Sequence, residues 1–211
     1  MVNIKLYSYY RSSASFRVRI ALALKNLPFE TIPINIIKDG GEQHSEKYIT
    51  INPMRQVPTI VIDGVTLTQS ISIIEYIDEV FTSGTKLLPG TPLQRAQARQ
   101  IAEIINSGIQ PLQNLSTLKA VQGTHPNWAH DVIHDGFKAI ESILAKTAKC
   151  YCVGDEISIA DICLVPQVYN ANRFKVNMDQ FPLITRINQK LNSHEAFQKA
   201  APNNQPDFPD N

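Results

Sequence analysis

Tyr7-Ser8-Tyr9-Tyr10-Arg11-Ser12-Ser13-Ala14-Ser15-Phe16-Arg17-Val18-Arg19-Ile20-Ala21-Leu22-Ala23-Leu24 is the stretch on which the fold turns. Just upstream, Val2, Ile4 and Leu6 alternate with polar residues, the two-residue period of a half-buried strand. Within the stretch Val18, Ala21 and Leu22 recur at helical spacing. Phe16, Ile20, Ala23 and Leu24 widen that stripe into the pattern of a mostly buried helix. Ser12-Ser13 stand at the join. Serine is a preferred N-cap, because its oxygen accepts from an orphan N–H of the first turn. Free N–H groups and the helix dipole at such a join also favour a bound anion. On this segment alone, both a plain cap and an anion site are open.

Working outward, Leu27 to Ile34 reads as a second strand whose prolines, Pro28 and Pro33, suit a sheet edge or a strand start. Lys38-Asp39-Gly40-Gly41 signals a loop, and a short helix is expected around residues 45–51. Asn52 to Ile62 gives a strand with a proline at its mouth. Asp63-Gly64 is a two-residue hairpin turn, and Val65 to Leu67 returns. Gln69-Ser70 then opens a helix predicted to place Ile71, Ile74, Ile77 and Phe81 on one face. The order β-α-β-α-β-β-α fills roughly 80 residues, a plausible small domain. Thr82 to Pro92 is turn-rich, and beyond it strand signals vanish. A long helical pattern runs from Leu93 to about Val121, with a kink expected near Gly108 to Pro111. Further helices are expected over 127–148, from a capping box at Ser158-Ile159-Ala160-Asp161, and from Pro182 to about Leu191. The tail from Pro202 reads as extended coil.

At 211 residues with 43% hydrophobic content the chain can bury one large core or two small ones. A net charge of +1 excludes the basic excess of a nucleic-acid binder. There is no apolar run of bilayer length and no signal-peptide core in MVNIKLYSYY, so no membrane partner and a cytoplasmic location are expected. Cys150, Cys152 and Cys163 fit no zinc spacing, and the helical run around Cys163 points to a buried, inert thiol. His130 and His134 are spaced i,i+4, which suits a solvated helix face better than a metal site; no metal is expected.

The motif Arg11 to Leu22 resembles the serine-serine-cysteine motif of zeta-class glutathione transferases, a class that includes maleylacetoacetate isomerase. Further matches are Lys38 to Gly41, Asn52-Pro53-Met54 with Gln56 to Thr59, Gln69-Ser70, Gly108 to Ser116, Tyr151 to Glu156, Ala160-Asp161 and Arg173 to Val176. The resemblance implies an α/β thioredoxin-like N-terminal domain plus an all-α C-terminal domain, the cytosolic glutathione transferase fold. Residues 1–82 would bind glutathione, 83–92 would link, and 93–211 would complete the substrate site. It further implies glutathione as cofactor, a homodimer and a small carboxylate substrate. Ser12 and Ser13 are the implied catalytic hydroxyls. Ala14, Ser15, Phe16, Arg17, Gln43, Val57, a cis Pro58, Gln69, Ser70, Gln110, Asn114, Leu115 and Ser116 are the further glutathione contacts. Arg11 and Arg173 are candidates to grip the substrate carboxylates, as guanidinium does bidentately. The implied reaction is addition, rotation and elimination at the cis double bond of maleylacetoacetate, with glutathione regenerated. Maleylpyruvate isomerisation, a general transferase acting on electrophiles or α-haloacids, and a non-catalytic glutathione-binding scaffold are the alternatives. One departure stands out: the family cysteine is Ala14 and its tryptophan is Phe16.

Overall fold

The computed structural model describes residues 2–121 and 123–209. Packing divides the chain into two compact units, Met1–Thr85 with Glu195–Asn211, and Lys86–His194.

The first unit is built on a four-stranded sheet of order β2-β1-β3-β4, with β1 Ile4–Ser8, β2 Glu30–Pro33, β3 Thr59–Ile62 and β4 Val65–Thr68. β1 runs parallel to β2 and antiparallel to β3. The proline-bearing β2 is an edge strand, where Pro33, beside Ser8, leaves no ladder bond in the sheet centre unmade. Asp63 and Gly64 both take positive φ, +48° and +87°, the geometry of a primed hairpin turn. Between the strands lie α1 Ser13–Leu24, α2 Glu46–Ile49 and α3 Ser70–Val80. The buried face of α3 is Ile73, Ile74 and Ile77. Ile71 and Phe81, expected on that face, are only half-buried, because the helix is rotated to bring Ile73 onto the core.

α1 is buried on nearly every side, since it packs against both α3 and a helix of the C-terminal segment, α9 Glu195–Ala200. Its two arginines are therefore interior groups, Arg17 at 0% and Arg19 at 1% exposure. An interior ion pair, Lys25 Nζ to Asp78 at 2.7 Å, fixes the end of α1 to α3. After α9 the tail is not plain coil: Pro202–Asn204 form a 3-10 turn, and Phe208 packs edge-on against Tyr10 at 5.4 Å.

The second unit is helical. α4 Pro92–Glu103 starts at a capping box between Thr91 and Gln94. The interruption expected near Gly108 to Pro111 is present and is wider than a kink: α4 gives way to a π-turn at Ile104–Ile109 and a 3-10 turn at Gln110–Gln113 before α5 Leu115–Val121. Pro111 lacks the N–H that a continuing helix would use, and the chain widens just before it. Buried Gln113 and Gln167 exchange two amide bonds of 2.9 and 3.1 Å, holding that turn against α7 Ile159–Arg173. α6 Trp128–Thr147 buries Ala129, Ile133, Phe137, Ile140 and Leu144, with Val132 and Ile143 at the margin. α8 Pro182–Asn192 follows.

Two helices of this unit begin on a carboxylate. Asp161, wholly buried, accepts from the Ser158 N–H and hydroxyl and from the Cys152 N–H, all at 2.9 Å. Burial pushes its pKa above the ordinary value, against those three donors. Glu141 on α6 accepts from the N–H groups of Leu183 and Ile184 at 2.7 and 3.0 Å, capping α8 from outside. No helix among the described residues is long and apolar enough to cross a membrane.

Candidate active site

In the first unit the chain leaves β1 and turns at Tyr9-Tyr10-Arg11-Ser12, closed by the Ser12 N–H on the Tyr9 carbonyl at 3.0 Å. Ser12 is the N-cap of α1: its backbone is extended, and its Oγ accepts from the Ser15 N–H at 3.2 Å. That bond uses a lone pair and leaves the hydroxyl proton to be donated elsewhere. The N–H groups of Ser13 and Ala14 take no acceptor among the described residues, and the first turn holds no acidic residue. Ser12, Ala14 and Arg11 are half-buried, while Ser13 and Phe16 are buried. Ser15 Oγ is buried with no partner among the described residues.

α3 starts in a similar way. Gln69 precedes it with φ +68°, left-handed backbone that a glutamine adopts only under constraint, and it makes no side-chain cap. Again the first turn has no acidic residue. Arg17 Nη1 donates to Ser70 Oγ at 3.2 Å, so a buried guanidinium joins the starts of the two helices.

The segment before β3 is held by a buried polar cluster. The Tyr48 hydroxyl and Asn52 amide both donate to the Gln56 carbonyl, at 2.6 and 2.8 Å, and both reach Thr59 Oγ1. The peptide that follows, Val57–Pro58, is cis, as the resemblance implies. Gln43 lies on the loop between β2 and α2, its amide nitrogen on the Ile36 carbonyl at 3.4 Å and its Oε1 buried with no partner among the described residues. A depression of about 370 Å³ opens on this loop, lined by Lys38, Asp39, Gly41, Glu42, His44 and Ser45.

The remaining expected residues belong to the second unit. Asn114 Oδ1 accepts from the Ser116 N–H and hydroxyl, at 2.8 and 2.6 Å, so these two residues start α5. Gln110 and Leu115 are half-buried. Arg173 is exposed in the last turn of α7, over the Phe174 ring at 4.9 Å. Among the described residues no group of three or more His, Cys, Asp or Glu could hold a metal ion. His130 and His134 stack in parallel on the surface of α6.

Two side chains that the sequence does not single out hold the Tyr9–Ser12 turn. Arg19 donates to the carbonyls of Tyr9 and Tyr10, at 3.4 and 3.0 Å, and to Ser8 Oγ at 3.0 Å. Its Nε reaches the Ala200 carbonyl at 3.0 Å. Burial lowers its pKa to about 9, with Asp207 opposing the shift, so it stays charged at neutral pH. Asp207 Oδ2 accepts from the Tyr10 N–H at 2.8 Å. A cation inside an apolar helical stripe was a visible signal for Arg19; nothing local marks Asp207. Burial pushes the Tyr9 phenol up to about 12, which keeps it a neutral hydrogen-bonding group.

A tripeptide thiol with two carboxylate ends needs unclaimed N–H groups at its anions and free acceptors for its amides. Two helix starts without acidic residues, the exposed Gln69 and the orphan Gln43 Oε1 fit that demand. Comparison with known proteins agrees. Residues 2–79 match the glutathione S-transferase N-terminal domain, and residues 93–186 match the glutathione S-transferase C-terminal domain. A maleylacetoacetate isomerase of Mus musculus is 56% identical, covering 97% of this chain and 94% of that protein. The holo structure of a bacterial zeta-class glutathione S-transferase, maleyl pyruvate isomerase, superposes with TM-score 0.91 at 35% identity, covering 96% of this chain and 99% of that one. Maleylacetoacetate isomerase of Anaeromyxobacter dehalogenans, with glutathione bound in its active site, superposes with TM-score 0.89 at 36% identity over 99% of both chains. The chain belongs to the glutathione S-transferase family, among its maleylacetoacetate isomerases.

Proposed function

We propose that this protein is a glutathione-dependent cis–trans isomerase that converts maleylacetoacetate to fumarylacetoacetate in tyrosine and phenylalanine breakdown. The observation that carries the reading is the start of α1: a serine cap, two unclaimed N–H groups and no carboxylate of its own. Bound glutathione supplies a nucleophilic thiolate whose reversible addition lets a cis double bond become trans. The chain's part is to keep that sulfur anionic. Ser12 and Ser13 present hydroxyls and the helix start presents N–H groups and the positive dipole end, all of which favour the anion. Ala14, Ser15 and Phe16 shape the same turn, and Arg17 steadies it through Ser70. Gln69 and Ser70 suit the γ-glutamyl carboxylate, the Val57 backbone beside Pro58 the cysteinyl amides, and Gln43 the glycyl end. Gln110, Asn114, Leu115 and Ser116 are assigned to glutathione by family match. Arg11 and Arg173 are assigned to the substrate carboxylates.

We assign glutathione binding to residues 1–82 and, through Arg173 and its neighbours, part of the diacid recognition to residues 93–211. Among the described residues Cys150, Cys152 and Cys163 form no disulfide, which suits a reducing cytoplasm. A homodimer rests on family membership. Maleylpyruvate is the second substrate to consider, supported by the close superposition on a maleyl pyruvate isomerase.

The test is an assay of cis-to-trans conversion on maleylacetoacetate and maleylpyruvate, with and without glutathione, in which glutathione is counted before and after. Catalytic recycling is expected. Stoichiometric loss would make the protein a transferase, and no binding at millimolar glutathione would make it a scaffold. Ser12→Ala should lower kcat by about a hundredfold or more, with glutathione still bound, while removing only about 1 kcal/mol of stability through the lost cap.

A further inference from the structure

We propose that Asp207 and Arg19 are positioning residues for this reaction: from either side of the Tyr10 residue they fix the turn that aims Ser12 and Ser13. The inference rests on the isomerase reading for its kinetic consequence, and on the geometry of the first unit for its cause.

The turn lies beyond the last ladder residue of β1, Ser8, so no sheet bond reaches Tyr10. Both polar groups of Tyr10's backbone are met from elsewhere in the chain. Its N–H goes to Asp207 Oδ2 at 2.8 Å, and its carbonyl accepts from Arg19 Nη2 at 3.0 Å. The Tyr9 carbonyl accepts both the turn-closing Ser12 N–H and Arg19 Nη1. Arg19 is in turn anchored by the Ala200 carbonyl at the end of α9. Phe208, next to Asp207, sets its ring edge-on against Tyr10, with 86° between the planes. A carboxylate and a guanidinium thus bracket one residue, two positions before the proposed catalytic serine.

The choice of a charged residue at 207 is informative. One carboxylate oxygen holds Tyr10; the other, Oδ1, is buried with no hydrogen-bond partner among the described residues. A neutral acceptor would hold the same N–H, whereas the carboxylate also supports the charge on buried Arg19, whose other bonds hold the same turn. The two charged groups therefore act on the same turn, Asp207 at the Tyr10 N–H and Arg19 at the Tyr10 carbonyl.

The test uses the full chain and three variants: Asp207→Ala, Phe208→Ala, and Thr91→Ala as a control that removes a helix cap in the second unit. Hydrogen exchange of residues 9–16 is measured without glutathione. The pKa of the glutathione thiol bound to each protein is read from thiolate absorbance, and kcat and KM are measured for the diacid. Asp207→Ala should speed exchange in that segment and move the bound thiol back toward the free value of about 8.5. It should also lower kcat about tenfold at unchanged KM. Phe208→Ala should move all three the same way, with kcat down about threefold; it decides the matter if Asp207→Ala does not fold. Thr91→Ala should move none of them. Wild-type exchange, thiol pKa and kcat in the 207 and 208 variants would overturn the inference, as would equal losses in the control. Failure of the isomerase reading looks different: the unmutated chain itself would bind glutathione without isomerising either diacid. Exchange and thiol pKa would then still decide whether Asp207 positions the turn.

Discussion

Helices α1 and α3 of the first unit and α7 and α8 of the second solve the same electrostatic problem in opposite ways. Every helix start exposes unpaired N–H groups and the positive end of a dipole. In the second unit the chain answers with its own anions, Asp161 within α7 and Glu141 reaching across to α8. In the first unit α1 has serine at the third position where α7 has aspartate, and α3 has a strained glutamine with no side-chain cap. α1 and α7 are both buried along nearly their whole length, so solvent does not explain the difference between them. The starts of α1 and α3, which carry no acidic residue, suit an anion supplied from outside.

The comparison can be broken most severely at α7. Asp161→Ala strands three buried donors and should cost about 3–5 kcal/mol, read as a large fall in unfolding midpoint with denaturant. Retention of the wild-type midpoint would mean the carboxylate is not needed there. Next, Ser15→Asp transplants the α7 solution into α1. A resident carboxylate should compete with the thiolate and lower kcat/KM about a hundredfold, or about 2.7 kcal/mol, in protein whose circular dichroism is unchanged. Full activity in that variant would show that the α1 start is not the anion site. Glu141→Ala removes the borrowed cap of α8 and should cost about 1–2 kcal/mol, seen as a lower melting temperature without loss of turnover.

The smallest effect concerns pH. Asp161 has its folded pKa raised by burial above an ordinary value near 3.8. In the interval between the two values the folded chain binds the proton more tightly than the unfolded one. Stability from this residue is therefore fully present below the unfolded pKa and declines as pH rises through the folded one. Asp161→Asn should remove that slope, and an unchanged acid-side stability profile would contradict it.

How much of this was legible depended on distance along the chain. The capping box at Ser158 to Asp161 is contained in four residues, and the Asp63-Gly64 hairpin in two, because local backbone geometry demands those residue types. The strand-to-helix join at Ser12 was equally plain. The π-turn at Ile104–Ile109 was not: its residues carry an ordinary helical pattern, and only the tertiary setting around Pro111 widens them. α9 is short, with too few residues to declare a period, and its burial against α1 comes from α1's all-round apolar surface. Least legible of all was the bond between Tyr10 and Asp207, 197 residues apart in sequence.

That separation has a consequence for how the protein is made. The segment bearing Ser12 leaves the ribosome well before the partners of its turn, Ala200 through Arg19 and Asp207 directly, the latter 197 residues after Tyr10. At about 5–20 residues per second, the nascent sheet waits some tens of seconds for them. Any fragment released before Asp207 would carry both serines on a turn whose Tyr10 N–H has lost its acceptor, so an interrupted chain would hold its hydroxyls less firmly than the finished one.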